Sequence, residues 1–212
     1  MIVVGLLGPI AGGKSVVLET LARCGAATIR ADDISRELLA PGTEHLHAVI
    51  EAFGEGFLEA DGSLKRAELA ALIFRDAGAR EKLNRMLHPA MVARMGQELN
   101  DLRRDGQFSV AVIEAANLVE MGGLRLVDRV LLVTAPRAER VRRLMQRDGL
   151  TRSEAEARLR VHEEMGIEET GADYVIETSG TADDTRAKAE RLWRRLVQEP
   201  TRRSGFQPDN KR

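Results

Sequence analysis

The run IVVGLLGPIAGGKSVVLETLARC, residues 2–24, restricts the fold more than any other part of the chain. IVVGLL is apolar and rich in branched side chains, as a short strand buried on both faces requires. Val16, Val17 and Leu21 then recur at helical spacing. Between the two segments stand Gly8, four residues, Gly13, Lys14 and Ser15. This is the G-x-x-x-x-G-K-[ST] arrangement, whose successive backbone N–H groups wrap a di- or triphosphate. The helix N-terminus adds partial positive charge to that of Lys14, and Ser15 offers a hydroxyl to Mg²⁺. The bland alternative is a Gly-rich turn with a surface lysine. Pro9 stands where such loops usually carry a glycine or another small residue, and it removes one N–H donor.

Four later segments also read as strands: AATI (26–29), FSVAVIEA (108–115), RVLLVTA (129–135) and DYVIET (173–178). Each is followed by a helical pattern. Near-continuous apolar runs alternating with helices imply a parallel sheet covered on both faces. The expectation is an α/β fold: a five-stranded parallel sheet of the phosphate-loop NTPase type, flanked by helices.

Two inserts interrupt the alternation. Residues 33–105 read as successive helical stretches (DISRELLA, TEHLHAVIEAF, KRAELAALIFRD, REKLNRMLH, PAMVARMGQELNDL), divided by the loop GEGFLEADGS. This block is large enough to hold an acceptor. Residues 136–170 contain a charged helical pair placed between two strands, the pattern of a lid and equally of a solvated hairpin. Thr151 and Glu154 form a capping box at the start of its second helix. The expected core is therefore discontinuous, made of 1–32, 106–135 and 171–198. Residues 199–212, without periodicity and with two prolines, read as a disordered tail.

Composition removes several classes. With 32 Lys and Arg against 33 Asp and Glu, the formal net charge is −1. No general nucleic-acid or anionic-membrane surface is expected, so any anion site is local. The single cysteine, Cys24, excludes an internal disulfide framework and a Cys-based zinc cluster; its place near the end of the first helix predicts a small buried side chain. No stretch approaches the roughly 18 apolar residues of a membrane span. The first strand begins at Met1 with no charged leader, and a cytoplasmic location is expected.

A phosphate loop alone permits a GTPase, an ATP-driven machine or a kinase. The only Asn-Lys pair, Asn210-Lys211, lies in the tail and lacks the aspartate of a guanine-reading motif. A small α/β core with one helical insert and one Arg-rich lid suits a small-molecule kinase. Asp32 and Asp33 follow the second strand at the carboxyl edge of the sheet, where open α/β folds hold ligands. A carboxylate there can accept the proton of an attacking hydroxyl. The alternative is that one or both cap the helix that follows.

The order of landmarks resembles the dephospho-coenzyme A kinase family over residues 1–197. GPIAGGKS corresponds to the family's G-G-I-G-S-G-K-S loop, RADDISR to D-A-D-x-I-A-R, and LAPGT to V-x-P-G-T. LHPAM is similar to its L-H-P motif, and VIEAANLVEMGG to D-x-P-L-L-x-E-x-G. RLMQRDGLTRSEAEARL resembles its lid, and ADYVIETSG its A-D-Y-V-I-x-N-x-G strand.

The resemblance implies transfer of the γ-phosphoryl group of ATP to the ribose 3′-hydroxyl of dephospho-coenzyme A, the last step of coenzyme A synthesis. It makes Asp32 the candidate base, with Lys14, Arg143 and Arg147 as further catalytic groups. Gly8, Ala11, Gly12, Gly13, Lys14, Ser15, Val16 and Arg143 would hold the nucleotide, and Ser15 would ligate Mg²⁺. Asp32, Arg36, His88 and Arg140 would face the acceptor; a helix-start role for His88-Pro89 stands beside that one. Arg140, Arg143 and Arg147 share a helix face. The implied partners are ATP and dephospho-coenzyme A, with no nucleic acid and no membrane, and a monomer or small homo-oligomer is expected.

The chain departs from the family pattern at several positions. Pro9 and Ala11 replace flexible loop residues, Arg30 the first aspartate of D-A-D, Glu114 an aspartate, Ala116 a proline and Asn117 a leucine. His162 stands for a lid glutamine and Thr178 for an asparagine near the nucleotide. These changes keep two other readings open: another small-molecule or nucleotide kinase, and a nucleotide- or coenzyme-binding sensor with little turnover. Retention of Lys14, Ser15, Asp32 and the lid arginines argues against the sensor.

Overall fold

A computed structural model of the chain describes residues 1–164 and 171–199. The expected tail from residue 200 onward and lid residues 165–170 lie outside them. Five strands form one sheet in the order β2-β3-β1-β4-β5. They are β1 (Ile2–Leu7), β2 (Ala27–Arg30), β3 (Val110–Glu114), β4 (Arg129–Thr134) and β5 (Tyr174–Glu177). The β1–β3, β1–β4 and β4–β5 pairs are parallel. Each expected strand is present: β1 as read, β2 shifted one residue along, and β3, β4 and β5 shortened at one or both ends.

β1 is buried along its whole length because it lies between β3 and β4 with helices over both faces. Its Val4 and Leu6 join Val17, Leu18 and Leu21 of α1 (Lys14–Cys24) and Ala189, Leu192 and Leu196 of α8 (Ala182–Leu196) in one apolar cluster. The ends of the helices follow local chemistry. Gly25 closes α1 in the left-handed region, its N–H meeting the Ala22 carbonyl while Ala26 N–H meets that of Leu21, a Schellman ending. Cys24 therefore sits on the terminal turn and is half-buried rather than enclosed. Thr181 and Asp184 cap α8 reciprocally.

Two aspartates explain the segments VDRV and ADYV. Asp128, just before β4, accepts the N–H of Val3 in β1 at 2.8 Å; Asp173, just before β5, accepts the N–H of Val130 in β4 at 2.8 Å. Each carboxylate continues the parallel ladder past the point where the backbone stops pairing, and so holds the strand register.

Contacts divide the chain into two compact units, Arg30–Glu98 and the described residues on either side of it. The Arg30–Glu98 unit contains α2 (Ala31–Leu38), α3 (Glu44–Phe53), α4 (Arg66–Arg75) and most of α5 (Ala77–Asp105). The two helical stretches read from sequence on either side of Pro89 are one helix of 29 residues, with the proline inside it. His88-Pro89 does not start a helix. An interior proline costs about 3 kcal/mol, but Leu83, Leu87, Met91, Met95 and Leu99 form a buried stripe every fourth residue along both halves. Burial of that stripe, at roughly 1.5–3 kcal/mol per side chain, outweighs the lost hydrogen bond. The second insert is α6 (Arg137–Asp148) and α7 (Arg152–Glu164), and it belongs with the sheet. No described helix is long and apolar enough to cross a membrane.

Candidate active site

The phosphate loop leaves the carboxyl end of β1 beside β4. At these neighbours the connections run in opposite directions, since β1 leads toward β2 and β4 toward β5, and such a switch is where open α/β sheets take ligands. Gly8, with φ of 151°, lies so close to β4 that a Cβ would stand 2.1 Å from the Val133 carbonyl oxygen. Any other residue would push the loop off the sheet. Gly13, with φ of 94°, is the residue before α1, and a Cβ there would fall 2.9 Å from Thr178 Oγ1 and 3.2 Å from Arg143 Nη1.

Pro9 acts through its carbonyl. That oxygen accepts the N–H of Gly12 at 3.1 Å and Lys14 Nζ at 3.1 Å, while Lys14 Nζ also donates to Gly8 O at 2.7 Å. Pro9 to Gly12 is thus a tight turn, and Ala11 at its third position takes φ of 58°, as a type II turn demands. Ile10 and Ala11 pack against a buried cluster of Val141, Leu144, Ala155 and Leu159 between α6 and α7. Apolar residues at the loop tip are therefore anchors for the helical pair.

Arg143 on α6 reaches the same loop. Its Nη1 donates to Ala11 O at 3.2 Å and to Thr178 Oγ1 at 2.8 Å, its Nη2 donates to Thr178 O, and its Nε donates to Glu139 at 3.0 Å. Glu139 also accepts from Arg142, and these hydrogen bonds, that from Arg142 foremost, pull its carboxyl down to about 2. Arg140 is only 11% exposed and gives Nη2 to Glu163 at 2.8 Å. Its Nε and Nη1 are buried and find no partner among the described residues. Such buried guanidinium donors are chemically suited to an anion. Arg147 lies at the exposed end of α6, 58% exposed and paired with Asp148. One face of one helix therefore holds three arginines in three settings.

Ser15 is the exposed second residue of α1, with Val16 half-buried beside it. Glu114 ends β3 in register with Leu6 of β1, which puts a carboxylate at the edge from which the loop departs. Among the described residues no three His, Cys, Asp or Glu side chains are grouped as a protein-built metal cluster needs.

In the helical unit Asp32 and Asp33 lie inside the first turn of α2, whose N-cap is Arg30 and has no side-chain cap. Neither aspartate caps the helix. Asp33 accepts from Arg36 at 2.8 Å, with both side chains exposed. Asp32 is exposed and carries no such pair among the described residues. His88 lies in the middle of α5. Sequence reasoning marks Thr178 only as a departure from the family pattern near the nucleotide, and it does not reach Glu139 or Glu163. The signal for these contacts is spatial, although the i,i+3 and i,i+4 spacing of Glu139 before Arg142 and Arg143 could have pointed to a positioned arginine.

The sequence pattern of the dephospho-CoA kinase family matches residues 2–184. The chain belongs to that family. A dephospho-CoA kinase of Geobacter sulfurreducens is 42% identical over 193 residues, covering 91% of this chain and 98% of the relative. One from Moorella thermoacetica is 43% identical over 196 residues, 92% of each. A crystal structure from Thermus thermophilus superposes with a TM-score of 0.69 at 30% identity, covering 92% of this chain and 97% of that one. The fold is shared also by dephospho-CoA kinase from Campylobacter jejuni, with a TM-score of 0.67 at 22% identity and the same coverage.

Proposed function

We propose that the chain transfers the γ-phosphoryl group of ATP to the ribose 3′-hydroxyl of dephospho-coenzyme A, giving coenzyme A and ADP in the cytoplasm. The observation that carries this reading is the phosphate loop, seated on β4 and followed by Lys14 and Ser15, in a chain matched by the family from residue 2 to 184. Backbone N–H groups of residues 11 and 13–16 and the Lys14 ammonium hold the β- and γ-phosphates, while the Gly12 N–H keeps the loop turned onto Pro9 O. Arg140, with its unmet buried donors, takes a further phosphate oxygen. Arg143 keeps the loop in shape, and Arg147, from the exposed end of α6, meets charge on the transferring group.

Asp32 orients the attacking hydroxyl and accepts its proton. Arg36 and His88 hold the acceptor. The exposed Ser15 hydroxyl is a hard oxygen donor, and it suits Mg²⁺, which is bound through few protein groups together with substrate phosphates. Bound there, Mg²⁺ supplies neutralisation of the β–γ oxygens. The lid helices exclude water that would otherwise hydrolyse ATP.

The test is turnover with ATP·Mg²⁺ and a panel of dephospho-coenzyme A, adenosine, pantetheine and nucleoside monophosphates, read as ADP formed and as product mass. Phosphorylation of dephospho-coenzyme A above the others is expected. Preference for a nucleoside monophosphate would replace the acceptor assignment, and tight ATP binding without transfer to any acceptor would make the chain a sensor.

A further inference from the structure

We propose that Thr178 is a positioning residue that sets the phosphate loop for catalysis by tying it to the lid arginine and to the end of β5. The proposal rests on the kinase reading above for its turnover arm and on the structure alone for its binding arm. Thr178 follows β5 directly and is 1% exposed. Its backbone N–H continues the sheet by meeting Thr134 O at 2.8 Å, so its Cα is fixed by the fold. Its hydroxyl is then shared between two partners from distant parts of the chain. It donates to Gly12 O at 2.8 Å and accepts from Arg143 Nη1, also at 2.8 Å. Thr134 O, at 3.3 Å, is the weaker alternative for the single hydroxyl proton. The same guanidinium closes the circuit through Ala11 O and Thr178 O.

Two consequences follow from peptide planarity. A carbonyl and the N–H of the next residue point to opposite sides of a trans peptide. Holding the Gly12 carbonyl on the Thr178 hydroxyl therefore turns the Gly13 N–H away from Thr178, out of the knot. Holding the Ala11 carbonyl on Arg143 does the same for the preceding peptide, whose Gly12 N–H closes the turn onto Pro9 O. Two successive loop peptides are oriented by one hydroxyl and one guanidinium. Gly13 has no room for a side chain at this junction because the same two groups crowd it. A threonine suits the position on geometric grounds: it is short enough to be buried, it offers one donor and one acceptor, and its branched methyl restricts χ1.

The decisive comparison is Thr178→Val, which keeps the shape and deletes the hydroxyl, against Thr178→Ser, which keeps the hydroxyl. Thr178→Val leaves the buried Gly12 carbonyl and one Arg143 donor without this partner, and should lower kcat by roughly tenfold to a hundredfold. The acceptor KM should stay near wild type. Thr178→Ser should retain most of kcat. ADP affinity by calorimetry, which needs no acceptor, should weaken about tenfold in the Val variant and little in the Ser variant. Combining Thr178→Val with Arg143→Ala should cost no more than Arg143→Ala alone, because both act on the same peptides. If the Val variant does not fold, Thr178→Ala replaces it in every arm.

Wild-type kcat and ADP affinity in the Val or Ala variant, a Ser variant as impaired as Val, or additive losses with Arg143→Ala would each overturn the proposal. A lowered Tm with unchanged kcat would also overturn it, because it would leave Thr178 a purely structural residue. Should the wild-type chain bind ADP yet phosphorylate no dephospho-coenzyme A, the functional reading fails while the ADP contrast still decides Thr178.

Discussion

The phosphate loop and the first turn of α2 carry the two halves of the proposed reaction, and they are built in opposite ways. The loop is shaped by close approach: Gly8 lies on the Val133 carbonyl, Gly13 against Thr178, and Ile10 and Ala11 against the lid cluster. Even its charged groups, Lys14 and Arg143, spend donors on loop carbonyls. Asp32 sits instead on the exposed surface of an eight-residue helix, with its neighbour Asp33 paired locally to Arg36. A triphosphate needs many donors fixed before it arrives, because reorganising them would cost the stabilisation they provide. An attacking hydroxyl needs one well-placed acceptor. Changes in the loop should therefore act through geometry, and changes in the α2 turn through the chemistry of one atom.

The largest effect expected is that of Lys14→Ala, which should lower turnover by on the order of 10³ or more in a folded protein. Near-normal turnover would break the comparison at its first term. Asp32→Asn should lower kcat by roughly 10² to 10³ with ATP binding kept, whereas Asp33→Asn should do much less. If Asp33 proved the sensitive residue, the exposed and paired positions would have to exchange roles. Both substitutions are read by steady-state kinetics and ADP calorimetry.

Arg143→Ala should lower turnover at least about tenfold and also weaken ADP binding, since the residue shapes the loop. Arg147→Ala should lower turnover less and leave ADP affinity unchanged, since its guanidinium is held only by Asp148 in the described structure. Equal effects on both quantities would erase the distinction between the two arginines.

The Glu139 carboxyl provides a pH test. Its pKa is depressed from 4.5 to about 2 by hydrogen bonds from Arg142 first and Arg143 second. Its contribution to stability is present above its ordinary value and disappears as pH falls from 4.5 toward 2. Glu139→Gln should make thermal stability less steep across that window and leave it little changed near neutrality, where a partly exposed pair contributes modestly. An unchanged acid slope would show that the carboxylate does not act through its arginine pairs. The smallest effect expected is that of Thr43→Ala in the helical unit. Thr43 accepts the Leu46 N–H at 3.2 Å and caps α3, and its loss should lower Tm by about 2–4 °C with kcat unaltered.

Much of this arrangement could be read from local pattern. The five apolar runs are the five strands, and the glycine spacing before Lys14 marks the turn into α1. Thr151 and Glu154 do cap α7, with Thr151 N–H on the Glu154 carboxylate at 2.8 Å. The pattern misled at Pro89, where a proline that ends most helices is carried through α5 by the buried stripe on either side. At the start of α2 the capping alternative fails, because the N-cap is Arg30 and the two aspartates lie two and three residues beyond it. Local preference is worth a few kcal/mol at most, and burial of a long helix face exceeds it.

The sequence by itself determined the alternation of strands and helices, the phosphate loop, and membership of a kinase family. Each depends on residues within a turn or two of one another, or on an ordered set of short segments. Only the tertiary structure decided the strand order, the seating of the loop on β4, and which arginine touches it. Thr178 and Gly12 are 166 positions apart, and no periodicity connects them. A hydroxyl acquires its partner when sheet pairing brings the ends of β1, β4 and β5 side by side, and that event is set by burial of the whole core.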